Sequence, residues 1–243
     1  MKCSDEAAKD DGSTTRDGDT VTSPLVRTTR LAEAYRRFLA SADSPHFASE
    51  VDEHYSGATL TTLLERGDVE LRRAAGLSLG MLGDHSSIEP LGRALADSDR
   101  GVRLAADDSF RALLLRDAAP IHHQQLLKVM HLNDGGEHAG ALAPTMILVD
   151  QAPLYCEAHH QLAICWQGLE NYFQAEAAYS ACLWHCRYHY PAWQGLARCR
   201  LLLGDSAGAL SALRRAVEIC PDFESARLQI RSIQRRLRRA SDS

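Results

Sequence analysis

The sequence predicts an all-α fold, an α-solenoid in which antiparallel helix hairpins stack on one another. Two internal repeats carry this prediction: residues 156–189 align with 190–223 at a spacing of 34, and residues 54–84 align with 85–115 at a spacing of 31. A repeat of this length is one supersecondary unit, which buries its apolar face only by stacking on a neighbour. The shared positions are apolar or small residues at helical spacing, so the stacked elements are helices.

The chain begins with a segment that cannot form a core. Residues 1–25 are rich in Asp, Ser, Thr and Gly, which predicts a disordered acidic tail. Helical periodicity starts near Thr28, and Leu31, Tyr35, Phe38 and Leu39 then fall on one stripe. We therefore expect a first helix ahead of the repeats.

The first repeat pair places small residues at corresponding positions. Ala74-Ala75 matches Ala105-Ala106, where short side chains let neighbouring helices approach closely, and Asp68 matches Asp99 in the turn between two helices. The stretches LRRAAGLSLGMLGD and VRLAADDSFRALLLRD each resemble the second helix of the HEAT-like repeat of the phycobilin-lyase type. The resemblance implies stacked hairpins and no particular chemistry.

The second repeat pair predicts two more hairpins, with Ala175 and Ala209 where the helices of each hairpin come closest. The last unit resembles the tetratricopeptide repeat, whose period is 34 residues. The matching residues are Trp193, Leu196, Ala197, Gly204, Ala209, Ala216 and Pro221. The preceding unit departs from that pattern, because Arg187 replaces the closing proline and Glu170 replaces the turn glycine.

An earlier, degenerate hairpin is expected before this pair, since Gly136, Ala141 and Pro153 fall in phase with it. Pro144 and the bulky Leu148 count against it, because a proline inside a helix removes a hydrogen bond. The predicted divisions are a disordered acidic tail (1–25), an N-terminal helix with two HEAT-like repeats (26–118), a degenerate hairpin (119–155), two tetratricopeptide repeats (156–223) and a capping helix with its tail (224–243). We expect the two arrays to form one continuous right-handed superhelix, or to meet at a hinge near residues 116–121.

Composition narrows the possible functions. A net charge of −5 argues against a general nucleic-acid binder, which usually carries a basic surface. No apolar run approaches the roughly 18 residues of a membrane helix, and the N-terminus lacks the apolar core of a secretory signal. Seven cysteines, several within helical patterns, suggest reduced, buried thiols in a cytoplasmic protein.

The resemblance to tetratricopeptide arrays implies a non-catalytic adaptor that binds a peptide or a partner domain and needs no cofactor. In such arrays the first helix of each hairpin lines a concave groove. The residues that this analogy places on the groove are His123, Leu126, Met130, Glu157, His160, Ile164, Gln167, Gln194, Arg198 and Leu201.

The alternative hypothesis is an accessory protein of a redox or metal-handling system that uses the Cys/His-rich hairpin 156–189. Zinc takes four Cys or His ligands in a tetrahedron, and helical pairs at i, i+4 can supply two of them. The candidate ligands are Cys182, His185, Cys186 and His189. Neither Cys-x-x-Cys nor His-Glu-x-x-His spacing is present, and the sequence contains no recognisable nucleophile–base motif.

Overall fold

The computed structural model describes residues 24–241, with side chains from Arg30 to Arg239. Within that range the chain forms thirteen helices and no strand, and consecutive helices pack as antiparallel hairpins. The predicted all-α stack of hairpins is therefore confirmed. The predicted disordered tail lies outside the described residues, apart from its last two positions, where the first helix begins.

The helices are α1 (Pro24–Ser41), α2 (Ser44–His54), α3 (Gly57–Arg66), α4 (Val69–Leu82), α5 (Ile88–Ala94), α6 (Arg100–Arg116), α7 (Pro120–Asp134), α8 (His138–Gln151), α9 (Cys156–Gly168), α10 (Tyr172–His185), α11 (Tyr190–Leu202), α12 (Ser206–Ile219) and α13 (Glu224–Ser241). A short 3₁₀ turn (His85–Ser87) precedes α5. We refer to α1–α6 as the first array and to α7–α13 as the second array. None of the described helices is long and apolar enough to cross a membrane.

Side-chain caps set the helix starts at corresponding places in the repeats. Asp68 and Asp99 accept hydrogen bonds from backbone N–H groups of α4 and α6, and Asn171 and Asp205 do the same for α10 and α12. Each cap satisfies one of the unpaired donors at a helix N-terminus. The aspartates of the first repeat pair therefore lie in the turns where the sequence predicts them, and each caps the helix that follows.

Small residues lie at the helix crossings of both arrays. Ala74 and Ala75 of α4 are fully buried, and in the second array Ala175 and Ala209 are fully buried as well. Without long side chains between them, the helices of each hairpin approach closely enough to exclude water. The HEAT-like character of the first array nevertheless stays a prediction.

Residues 120–151 form a helix pair, α7 and α8. Pro144 lies inside α8 without ending it, and Leu148 is fully buried. Leu148 packs in a small core cluster with Leu126 and Tyr155, separate from the main core of the chain. The bulky residue that counts against a repeat here thus fills the space between α7, α8 and the start of α9.

The two arrays lie side by side rather than end to end. Helix α6 runs along the starts of the later repeats and contacts three of them. Arg103 pairs with Asp222 at 2.8 Å, and Tyr190 donates to Asp107 at 2.7 Å. At the end of α6, Tyr155 donates to the carbonyl of Leu115. The expectation of one continuous superhelix is therefore wrong, because the chain reverses after α6 and the second array packs back against it.

Helix α5 makes a second contact between the arrays. The ring of Tyr188, in the α10–α11 loop, lies so close to Gly92 that a Cβ atom at Gly92 would be 2.4 Å from it. Beside this contact, Arg187 pairs with Glu89 at 2.5 Å. Arg187 is the residue that replaces the closing proline of the repeat signature, and its side chain here reaches the first array.

Candidate functional site

A cavity of about 420 Å³ lies between α6, α7, α9 and the start of α11. One wall is apolar and is formed by Phe110, Leu114, Leu115, Met130, Ile164 and Pro191. The polar lining residues are Arg111, Asp134, Glu157, His160, Gln161, His189 and Tyr190. A largely apolar cleft with a few convergent polar groups is the usual form of a binding site.

The polar part of this cavity is organised around Glu157, in the first turn of α9. Its Oε1 accepts from His160 Nδ1 at 2.9 Å and from Gln161 Nε2 at 3.0 Å. Its Oε2 accepts from His189 Nε2 at 2.9 Å. Glu157 is only 7% exposed, so these three bonds replace the water that a carboxylate normally binds.

Helix capping fixes the proton position on His189. His189 is the N-cap of α11, and its Nδ1 accepts from the backbone N–H of Ala192 at 3.1 Å. In a neutral imidazole one ring nitrogen accepts and the other donates. Because Nδ1 accepts, the proton is on Nε2, and His189 donates it to Glu157.

His160 also lines the cavity. Its Nδ1 donates to Glu157, and its ring lies 4.3 Å from the ring of His189 and 5.9 Å from that of Tyr179, measured between centroids. Among the residues that the structure describes, none hydrogen-bonds to His160 Nε2. In the neutral ring this nitrogen carries a lone pair, so it can accept a hydrogen bond from a ligand.

Glu157 is charged at neutral pH. Burial alone would raise the pKa of its carboxyl, but the electrostatic attraction and the hydrogen bonds of the His160 and His189 N–H groups outweigh burial and hold the pKa well below its usual range. The polar part of the cavity is therefore a buried carboxylate that already accepts hydrogen bonds from His160, Gln161 and His189.

Glu157, His160 and His189 also have the spacing of a metal site, since their donor atoms all lie within 4.8 Å of one another. The polarity of their hydrogen bonds argues against that use. A metal-ligating histidine normally donates its other ring N–H to an acceptor, whereas Nδ1 of His189 faces a backbone donor. The three side chains fit a proton-bearing network better than a metal centre.

No protein-family model and no curated protein matches this sequence. Solved structures to which this chain is similar include MamA of AMB-1, at 12% identity over 80% of this chain and 99% of that chain, with a TM-score of 0.38. A thermophilic TPR protein of Thermus thermophilus has 16% identity over 85% of this chain and 98% of its own, also with a TM-score of 0.38. The MamA RS-1 ArsTM double mutant has 16% identity over 79% and 94%, with a TM-score of 0.37.

Four of the ten residues predicted for the groove line this one cavity: Met130, Glu157, His160 and Ile164. The prediction that Leu126 lies on the groove is wrong, because Leu126 is fully buried in the cluster with Leu148 and cannot contact a partner. Arg198 and Leu201 line a separate cleft against α13, together with Arg236.

The remaining predicted groove residues bond within the protein. The side chain of His123 contacts the carbonyl of Leu115 at 2.6 Å. Gln167 accepts from Tyr179 at 3.1 Å, and Gln194 donates to Ser225 at 2.9 Å. For these three and for the Arg198–Leu201 cleft, a binding role stays a prediction.

The four candidate metal ligands do not converge. His185 stacks on His159 at 5.1 Å between centroids, His189 bonds to Glu157, and Cys182 and Cys186 are buried beside Cys156. The group that the structure does assemble contains His189 but takes its other members from α9. Sequence reasoning missed this group because Glu157 and His189 lie 32 residues apart, one in α9 and the other at the start of α11.

Proposed function

We propose that the protein is a non-catalytic interaction scaffold that binds a peptide or a partner domain, with the cavity between α6, α7, α9 and α11 as the anchor site. The observation that supports this most is the convergence of Met130, Glu157, His160 and Ile164 on one cleft. These residues come from the first helices of two hairpins, which are the helices that a repeat array offers to partners. An apolar pocket with a polar floor suits one anchoring side chain.

The chemistry of the cavity favours binding over catalysis. No serine, threonine or cysteine is present among the described residues that line it. The Glu157 carboxylate is already saturated by three donors, and His189 is held as a donor by its capping bond. A general acid–base pair needs a group that can take and release a proton beside a reactive atom. His160 alone does not supply that arrangement.

The alternative, a redox or metal-handling role for hairpin 156–189, has less support. The buried thiols of Cys182 and Cys186 have raised pKa values, through burial for Cys182 and through a hydrogen bond with Cys156 for Cys186. Reactive cysteines instead have lowered pKa values and solvent access. We keep the cytoplasm as the proposed compartment, on the strength of the cysteine usage in the sequence.

Site-specific photo-crosslinking in living cells tests the scaffold proposal. A benzophenone amino acid replaces Ile164, which lines the cavity, or Ile147, which is 55% exposed on α8. We expect one discrete partner adduct from position 164 that is absent from position 147. Without the crosslinker, the Ile164→Arg protein should no longer capture that partner. The Ile147→Arg protein should capture it as the wild type does. Adducts from position 147 only, or from neither position, would contradict the proposal.

A further inference from the structure

The charged residues of the cavity carry a negative balance. Two carboxylates, Asp134 and Glu157, line it against one guanidinium, that of Arg111, while the imidazoles of His160 and His189 add no charge in their neutral forms. Arg111 is also drawn to Asp107, whose carboxylate lies 3.6 Å from its Nε. Asp134 is exposed and Glu157 is buried, so the apolar walls strengthen chiefly the field of Glu157. With both imidazoles neutral, the net charge of the cavity favours a cation over an anion.

The partial charges at the helix ends around the cavity also favour a cation over an anion. The N-termini of α9 and α11 would attract an anion, but Glu157 already supplies that anion from within the protein. The last turn of α7, which contributes Asp134, is a helix C-terminus and carries partial negative charge. The helix N-termini thus already have an anion beside them, the Glu157 carboxylate. A cation could still bind beside the C-terminus of α7.

His160 offers a hydrogen-bond acceptor in the same place. Because its Nδ1–H is committed to Glu157, the neutral ring presents the lone pair of Nε2. An ammonium or guanidinium group has only donors to offer. An acidic side chain would instead meet the lone pair of His160 and the carboxylate of Asp134.

We propose that the cavity binds the side chain of a lysine or an arginine in the partner segment. Its aliphatic stem would lie against Leu114, Met130 and Ile164, and its charged head would face His160 Nε2 and the carboxylate of Asp134. Long basic side chains combine an apolar stem with a charged tip, which matches apolar walls beside an acceptor. This inference rests on the proposed function, since it names the chemistry of the anchoring residue.

Nuclear magnetic resonance titration with small amides tests the inference. The probes are the N-acetyl methylamides of lysine, arginine, norleucine and glutamate. We expect the lysine and arginine amides to shift the Nε2 resonance of His160 and the methyl resonances of Ile164, with dissociation constants of millimolar order. The norleucine amide, which keeps the stem without the charge, should bind about ten-fold more weakly, and the glutamate amide should give no shift.

Asp134→Asn serves as the test variant and Asp150→Asn, on the exposed surface of α8, as its matched control. Loss of the carboxylate at position 134 should weaken binding of the lysine amide about five-fold, and the change at position 150 should leave it unaltered. The inference is overturned by equal binding of the norleucine amide, by preferred binding of the glutamate amide, or by no response to the cationic amides.

The two proposals can fail separately. If the crosslink from position 164 persists with full yield in Asp134→Asn and the cationic amides do not bind, the scaffold proposal stands and the basic anchor is wrong. If position 164 gives no crosslink, the scaffold proposal fails whatever the amides do.

Discussion

At the scale of single residues, Glu157 is the side chain on which the site depends. It is buried, ionised and bonded to three donors, two from α9 and one from the N-cap of α11. Glu157→Gln keeps the shape but places an amide N–H₂ group against donors. We expect a loss of about 1–3 kcal/mol in the free energy of unfolding, because a buried donor is left unpaired. Urea denaturation measures this, with the exposed Glu218→Gln as a control expected within about 0.5 kcal/mol of wild type.

The pH dependence of that difference is a second measurement on the same variant. The pKa of Glu157 is lowered in the folded state, so its contribution is fully present above the unfolded value of about 4.3 and is lost as pH falls towards the folded value. The stability difference between wild type and Glu157→Gln should therefore shrink from about pH 5 to about pH 2. A difference that stays constant over this range would show that Glu157 is not ionised in the folded protein.

The cysteines give a separate residue-scale prediction. All six in the described part of the chain are free and buried. Burial raises the pKa of Cys165, Cys182 and Cys220, and it raises the pKa of Cys199 to about 11. The thiolate is the reactive form, so these thiols should resist iodoacetamide in the native protein and react fully in urea. Peptide mass spectrometry reads each site, and rapid native labelling of Cys182 or Cys199 would contradict the structure.

At the scale of elements, the contact between α5 and the α10–α11 loop depends on a glycine. A Cβ at Gly92 would meet the base of the Tyr188 ring, which has little freedom to move. Gly92→Ala should therefore destabilise the protein by about 1–3 kcal/mol, even though alanine is the better helix former.

A double-mutant cycle separates these two effects. With Tyr188→Ala in place, Gly92→Ala should become neutral or stabilising by roughly 0.5–1 kcal/mol, because only helix propensity remains. The sign reversal is the decisive result in thermal or urea unfolding. An alanine at position 92 that costs the same in both backgrounds would show that Tyr188 does not pack there.

The sequence predicts local features of the elements well and their longer contacts poorly. Asp68, Asp99 and the buried alanines could be assigned because caps and helix crossings depend on residues within one repeat. Leu126 was placed on the groove by analogy, yet it is buried, because α8 and Tyr155 close over it. The analogy supplies a helix face, whereas the packing of a neighbouring element decides whether that face is open.

At the scale of the whole molecule, the two arrays should unfold together. They share one continuous hydrophobic core and are bridged at Arg103–Asp222 and Tyr190–Asp107. All three tryptophans lie in the second array, whereas helical circular dichroism reports both. Urea transitions followed by tryptophan fluorescence and by circular dichroism should therefore coincide. A circular dichroism transition that precedes the fluorescence change would show that the first array unfolds on its own.

The side-by-side arrangement could not be predicted from the repeats. Arg103 and Asp222 are 119 residues apart, and nothing in either period marks them as partners. The cavity has the same origin, since α6 contributes Phe110 and Leu114 to a site whose other walls belong to the second array. The sequence indicated the helices that carry Glu157 and His160, but only the reversal after α6 encloses them.

The bracing of three repeat starts by α6 has a mechanical consequence. A stack in which each unit touches only its neighbours is elastic, and it can bend or twist to suit what it holds. Contacts from α6 to Tyr155, Tyr190 and Asp222 oppose both motions over the middle of the second array. The curvature of the second array is therefore set before a partner binds. Binding should require little rearrangement of the array, so little conformational entropy should be lost.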